Sequence, residues 1–331
     1  MLHTDINCCF HLLDLALSKP NKQAYFAAKE GGKWVTYSTE RVGQLVNALA
    51  NGLLNLGVEA NDKIAIIANN RPEWCITDYA IQQVGAVSVP IYLTISADDT
   101  AYIFKDCGLK YAFVSTEEMY HKATEAAQKA GLPVQIFMFD QVNGLPYWSV
   151  LVEAGKANPN QALLESRKSS LTGSSLLTII YTSGTTGNPK GVMLSHSNVI
   201  SNIQGAAAYV PVKDGDKALS FLPLCHIYER MLSYLYQRFG VEIWFAENMD
   251  TISDNLKEVK PQIFTTVPRL LEKVYDKIVL KGRELTGIKR ALFFWALHLG
   301  LAYDVQGKNS GWYNFKLGIA RKLIFSKWQA A

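Results

Sequence analysis

Cysteine, long apolar runs and net charge are all in short supply here, and each shortage removes a class of protein. The 331 residues hold five cysteines, Cys8, Cys9, Cys75, Cys107 and Cys225. That odd number, without metal-site spacing, excludes a disulfide-stapled scaffold and a structural zinc site. Reduced thiols in a cytoplasmic compartment are expected instead. The apolar patch at 8–16 is broken by His11 and Asp14 and preceded by Asp5, so it does not read as a signal peptide. The longest apolar run near the other end, 291–303, includes His298 and falls short of the ~20 residues a membrane span needs. A net charge of +4 is too small to point to nucleic acid as a partner. With 49% hydrophobic and 19% charged residues, the chain has the composition of a globular protein with a sizeable core.

What charge there is lies unevenly. Residues 281–331 carry nine basic side chains against Glu284 and Asp304, together with Phe293, Phe294, Trp295, Trp312, Tyr313, Phe315, Phe325 and Trp328. A helical hairpin whose apolar stripe packs on its own domain is one reading of this segment. Peripheral contact of 287–328 with an anionic membrane surface is the other.

Short apolar runs at 63–68, 85–90, 111–115, 134–139, 176–181, 241–245 and 263–267 read as buried strands. The stretches between them have helical spacing: in 41–56, Val42, Leu45, Val46, Leu49, Leu53 and Leu54 form one stripe. Strands alternating with helices predict an α/β protein with mostly parallel sheets flanked by helices. Residues 34–37 are expected as an early edge strand, with Ser38 capping the next helix. The polar stretch 153–173 reads as a surface linker or short helix. This suggests a first α/β lobe over 1–165, a second over 166–273 with a phosphate loop, and a helical basic-aromatic segment over 274–331.

The phosphate loop is the most informative feature. The strand at 176–181 runs into Thr182, Ser183, Gly184, Thr185, Thr186 and Gly187, then Pro189, Lys190 and Gly191, with Ser195 or Ser197 placed to cap a following helix. Glycines let successive N–H groups converge on an anion. The hydroxyls add donors, Lys190 adds positive charge, and Pro189 restricts the loop. The Walker A pattern fails because Lys190 lies between Pro189 and Gly191, and G-x-G-x-x-G is absent.

The run Tyr181-Thr-Ser-Gly-Thr-Thr-Gly-Asn-Pro-Lys-Gly191 resembles, nearly letter for letter, the AMP-binding motif of the adenylate-forming superfamily. Three further stretches are similar to elements of its long-chain acyl-CoA synthetases. These are Phe221-Leu-Pro-Leu-Cys-His-Ile-Tyr-Glu-Arg230, Val267-Pro-Arg-Leu-Leu-Glu-Lys273, and Asn69-Asn-Arg-Pro-Glu-Trp74 followed by Gly85-Ala-Val-Ser-Val-Pro-Ile-Tyr92. The segment after Lys273 resembles the helical insertion of the long-chain branch. Those relatives are longer, so the chain is expected to be an N-terminal part, truncated before the C-terminal domain and inactive alone. The elements missing from it are a glutamate that holds Mg²⁺, an aspartate that binds ribose and a C-terminal catalytic lysine.

The resemblance implies a two-step reaction. A fatty carboxylate attacks the α-phosphorus of ATP, giving acyl-adenylate and pyrophosphate, and the thiol of coenzyme A then displaces AMP. It assigns Thr182–Gly187 and Lys190 to the β- and γ-phosphates, Thr182 to the neighbourhood of Mg²⁺, and His226 with Lys190 to the catalytic group. Fatty acid, ATP and coenzyme A are the expected partners. A fatty acyl-AMP ligase and a non-catalytic half-ligase that binds nucleotide or membrane are the alternatives. Glu229 and Arg230 read equally as an ion pair or as site elements, and the position where some relatives place an aromatic gate is Arg230. Arg269 reads as a buried structural pair, Trp74 and Tyr92 as core aromatics, and His196 as a helix-start residue. Cys225 is rejected as a nucleophile, since only His226 beside it could lower its pKa.

Overall fold

Continuous apolar runs become strands buried on both faces, and they sort into two sheets. A computed structural model describes residues 6–182 and 187–330. Its strands are β1 (Phe26–Glu30), β2 (Lys33–Tyr37), β3 (Lys63–Ile67), β4 (Val87–Pro90), β5 (Tyr111–Val114), β6 (Gln135–Met138), β7 (Leu176–Thr182), β8 (Lys190–Ser195), β9 (Lys217–Ser220), β10 (Glu242–Phe245) and β11 (Ile263–Phe264). One sheet has the order β11-β9-β10-β1-β2 and the other β6-β5-β3-β4-β7-β8. Every pairing is parallel except β1 with β2 and β7 with β8. The expected edge strand is β2, joined to β1 by Gly31 and Gly32 at φ +57° and +78°, the positive angles a two-residue hairpin turn requires. Ser38 caps the helix Thr39–Asn55 by accepting from the Arg41 amide.

Alternation along β3 shows how the layers are built. Ile64 and Ile66 join the large core that also holds Phe26, Ile243 and Phe245 of the other sheet, whereas Ala65 and Ile67 face a second core under the helices Ala97–Cys107 and Glu117–Ala130. The helices Pro72–Gln83 and Ile227–Phe239 contribute Trp74, Tyr79, Leu232 and Leu235 to the large core. Trp74 is therefore the expected core aromatic, while Tyr92 is half-buried.

Two expectations need correction. The boundary at residue 165 does not separate two sheets, because each sheet takes strands from both sides of it. A compact unit instead runs up to Thr265, and a second begins at Thr266 rather than at 274. Of the two readings of 153–173, linker or short helix, the helical one holds. Most of it lies in the helices Ser149–Ala157 and Gln161–Ser170, the first of which packs on Thr39–Asn55 through Gly155 and Gly52.

The second unit is helical, with Pro268–Glu284, Gly287–Leu301 and Gly311–Ala320, a π-helical turn Arg321–Phe325, and Ser326–Ala330. Phe293, Ala296, Leu297, Leu317 and Ala320 are its buried apolar residues, with Phe293 against Trp328 at 5.0 Å. Arg269 is exposed in the first turn of Pro268–Glu284 and makes no ion pair among the described residues, contrary to the buried pair expected. Among the described residues no helix is long and apolar enough to cross a membrane.

Candidate active site at the carboxyl ends of the strands

The glycine- and hydroxyl-rich loop is the tip of a β-hairpin. β7 and β8 pair antiparallel, with Thr182 opposite Lys190 and Tyr181 opposite Gly191. A second strand thus stands where the sequence predicts a direct passage into a helix. The helix His196–Ala207 begins only after it, with Ser195 and Asn198 forming a reciprocal capping box. Ser183, Gly184, Thr185 and Thr186 lie outside the described residues. Of the remaining predicted phosphate ligands, Thr182, Gly187 and Lys190 are all exposed. Gly187 has φ +106° with open space around the position of an added Cβ, so backbone freedom is what its glycine supplies. Gly191 has a different task. An added Cβ would come within 2.8 Å of Ile179 and 3.1 Å of the Tyr181 ring. The missing side chain lets that ring lie across the hairpin, where its hydroxyl donates to Asp106 at 2.6 Å.

His226 stands at the N-cap of the helix Ile227–Phe239, with an exposed imidazole whose Nδ1 accepts from the Tyr228 amide at 3.3 Å. An apolar cavity of about 280 Å³ joins this helix start to the hairpin, lined by Leu194 of β8, Val199, Ile227 and Met231, with Asn198, Asn202 and Tyr228 at its polar margin. The hairpin that carries Lys190 and the residues directly after His226 therefore share one recess.

Glu229 and Arg230 separate rather than pair. Glu229 turns inward to Ser220, whose hydroxyl donates to it at 2.6 Å, and burial pushes its carboxyl up to about 7. Arg230 lies on the far side, bonded to Asp78 through Nη2 at 2.5 Å and Nε at 3.2 Å and to Ser88 at 2.9 Å. Tyr234 and Gln82 complete that buried cluster, and the Trp74 ring lies under the guanidinium at 5.6 Å. Bound in this way, Arg230 is a core cation and no gate. His196 begins its helix as expected and also accepts from the Cys9 amide at 3.0 Å; burial, then Arg230 and His11, hold its pKa down to about 3. Burial raises the Cys225 thiol to about 12, which matches its rejection as a nucleophile. Burial first, and Cys225 second, likewise push Tyr92 up to about 12.

Sequence reasoning gave Asn70 no role and did not single out Asp78. The signal for Asn70 was its place directly after a buried strand, where loops at strand carboxyl ends gather site residues.

The family model of AMP-binding enzymes matches residues 14–301. The chain belongs to that family. It is 36% identical over 249 residues to the long-chain-fatty-acid–CoA ligase FadD15 of Mycobacterium bovis, covering 74% of this chain and 41% of the relative. It is 30% identical over 317 residues to the human long-chain-fatty-acid–CoA ligase ACSBG2, covering 91% of this chain and 47% of the relative. The chain thus spans less than half the length of either. Among solved structures, a long-chain-fatty-acid–CoA ligase (FadD1) from Archaeoglobus fulgidus superposes with a TM-score of 0.70 at 22% identity, over 84% of this chain and 55% of that one. This superposition bears out the predicted fold of mostly parallel sheets flanked by helices, and the family match sets that fold among the AMP-binding enzymes.

Proposed function

We propose that this chain forms the phosphate- and acyl-binding part of an ATP-dependent, AMP-forming long-chain fatty acid–CoA ligase. The observation that carries the proposal is the shared recess: an apolar cavity lined both by Leu194 of the hairpin and by Ile227 and Tyr228, the residues directly after the exposed His226. Activation brings a carboxylate up to a polyanionic nucleotide, so donors must take up negative charge before the acid can approach the α-phosphorus. The loop amides, Thr182 and Lys190 would hold the β- and γ-phosphates, and pyrophosphate leaves as the acyl–AMP bond forms. His226 would orient the carboxylate, with the alkyl chain in the recess. The thiol of coenzyme A then attacks the acyl carbon and AMP departs.

Among the described residues no three His, Cys, Asp or Glu side chains gather to hold a metal. Mg²⁺ would therefore arrive with the nucleotide, which suits its habit of binding through phosphates and water, and Thr182 is the hydroxyl that could add to its shell. The ion would neutralise phosphate charge.

Pyrophosphate release from ATP in the presence of palmitate, for this chain and for a version extended to the length of its relatives, tests the proposal. Palmitate-dependent release by the extended version is expected. Release that ignores fatty acid, or none in the extended version, would remove the ligase reading.

A second observation favours peripheral membrane contact through 287–328. Trp312 and Phe315 stack at 5.5 Å on an exposed stripe that continues through Ile319 and Leu323, and after Asp304 the segment holds Lys308, Lys316, Arg321, Lys322 and Lys327 with no acidic residue. Apolar and basic groups on one short segment fit an anionic bilayer surface. Sedimentation with phosphatidylserine vesicles but not with phosphatidylcholine vesicles is expected, and Trp312→Ala with Phe315→Ala should abolish it. Equal behaviour on both vesicle types would refute the contact.

A further inference from the structure

At the carboxyl end of β9, side-chain hydrogen bonds run from one sheet to the other and end on the turn that presents His226. Asn70 follows β3 in the second sheet, and its Nδ2 donates to Ser220 Oγ at 3.1 Å and to the Leu222 carbonyl at 2.7 Å. Its Oδ1 accepts from the Leu224 amide at 2.9 Å. Ser220, the last residue of β9, passes the chain on by donating to Glu229 at 2.6 Å. The turn closes with the His226 amide donating to the Pro223 carbonyl at 2.9 Å.

The imidazole contacts little of its own. Among the described residues its Nδ1 meets only the Tyr228 amide, so the backbone of 222–226 determines where the ring stands. Asn70 grips that backbone from both sides, with donors on Leu222 and an acceptor on Leu224, a combination an aspartate could not supply. Glu229 occupies the third helical position after the N-cap, where a glutamate ordinarily bends back to the cap amide. Here it faces Ser220 and is only 3% exposed. A carboxyl buried against a single hydroxyl is costly to keep, and its raised pKa reflects the same isolation.

We propose that Asn70, Ser220 and Glu229 act as one positioning unit for His226, clasping the two sheets together and fixing the turn whose next residues, Ile227 and Tyr228, line the apolar recess. The proposal deepens the ligase reading and rests on it for the role of His226. Asn70 and Ser220 hold the turn, and Glu229 orients the serine hydroxyl so that its oxygen stays open to Asn70. Glu229→Gln keeps an acceptor for that hydroxyl and should preserve the arrangement, whereas Glu229→Ala should release it.

Nitrogen NMR of histidine-labelled protein tests the clasp on this chain, with His226 assigned through His226→Gln. Asn70→Ala, Ser220→Ala and Glu229→Ala are expected to move the His226 ring signals, Glu229→Gln to leave them in place, and His121 to stay put in all four. A second measurement titrates a non-hydrolysable alkyl-sulfamoyl adenosine into a version extended to the length of the relatives. Asn70→Ala should weaken binding about tenfold or more, and the Asn70→Ala/His226→Ala double variant should bind within about threefold of His226→Ala alone, since groups acting as a unit are not additive. His226 signals unmoved by Asn70→Ala and Ser220→Ala, or losses that multiply in the double variant, would overturn the proposal. Failure of the extended wild-type version to bind the analogue would count against the ligase reading, and the NMR result would still decide the clasp.

Discussion

Cys225 adjoins His226, and the two would pass for a nucleophile and its base if nearness in sequence were enough. Burial separates them. The thiol is buried with its pKa pushed up to about 12, while the imidazole is exposed. Burial likewise raises the other four thiols, Cys8 and Cys107 to about 11 and Cys9 and Cys75 further still. Because the thiolate is the reacting species, a disulfide reagent at pH 8 should label native protein slowly at all five and label every one after denaturation. A fast-reacting thiol in the native state would contradict these burials. Lys190 is the opposite kind of residue, exposed and opposite Thr182 in the hairpin. In a version active in adenylation, Lys190→Ala should cut pyrophosphate release by about 10²–10³-fold, the usual scale for losing one charge-stabilising donor. Its melting point should stay near wild type, since exposed substitutions change stability by about 0.5 kcal/mol or less. Unaltered release in that variant would remove Lys190 from the site.

Elements differ in how openly the sequence announces them, and the reason is burial. β3, β4 and β5 are covered on both faces, so they read as nearly continuous apolar runs, interrupted within β4 by Ser88. β8 is legible only in hindsight. Its Lys190, Gly191, Val192 and Met193 are exposed on a sheet edge, and the motif that makes the loop conspicuous hides the strand that returns from it. β9 is four residues long, and β11 is two, ending before Val267 turns into Pro268 at the head of a helix. The crossing of Thr39–Asn55 by Ser149–Ala157 depends on missing side chains that no periodicity reveals. A Cβ at Gly155 would sit 1.9 Å from the Ala48 carbonyl oxygen, and one at Gly52 would sit 2.0 Å from that of Leu151. Both neighbours are backbone and cannot swing aside. Gly155→Ala should therefore destabilise the protein by about 1–3 kcal/mol, the usual cost of overpacking, despite alanine's better helix propensity. Chemical denaturation reads the outcome, and a stabilised Gly155→Ala protein would show that the two helices have room to part.

Across the whole molecule, the motifs point to a candidate site but not to the ties between the elements around it. Asn70, Ser220 and Glu229 come from separate stretches, as do Asp78 and Arg230, and nothing in local spacing says that a strand end in one sheet meets a strand end in the other. The same burial that hides these ties leaves two titratable groups with opposite demands on pH. His196 is held neutral, its pKa lowered to about 3 from 6.5, so between those values the unfolded chain binds the extra proton and stability falls as pH falls. Glu229 is raised to about 7 from 4.5. There the folded state binds the extra proton, and stability falls as pH rises through that window. At about 1.4 kcal/mol per pH unit, each effect amounts to a few kcal/mol, a sizeable share of the roughly 5–15 kcal/mol that holds a typical domain folded. Their slopes oppose one another between pH 4.5 and 6.5, which leaves His196 to dominate below that range. His196→Gln should be less stable than wild type at pH 7, with the gap narrowing steadily as pH is lowered toward 4. Glu229→Gln should gain on wild type as pH rises from 4.5 to 7 and hold that gain above it. Denaturation midpoints measured across pH 4–8 for the three proteins separate the effects. A His196→Gln gap that stays constant with pH would mean that the imidazole is not held neutral in the fold, since a protonated ring could no longer accept from the Cys9 amide.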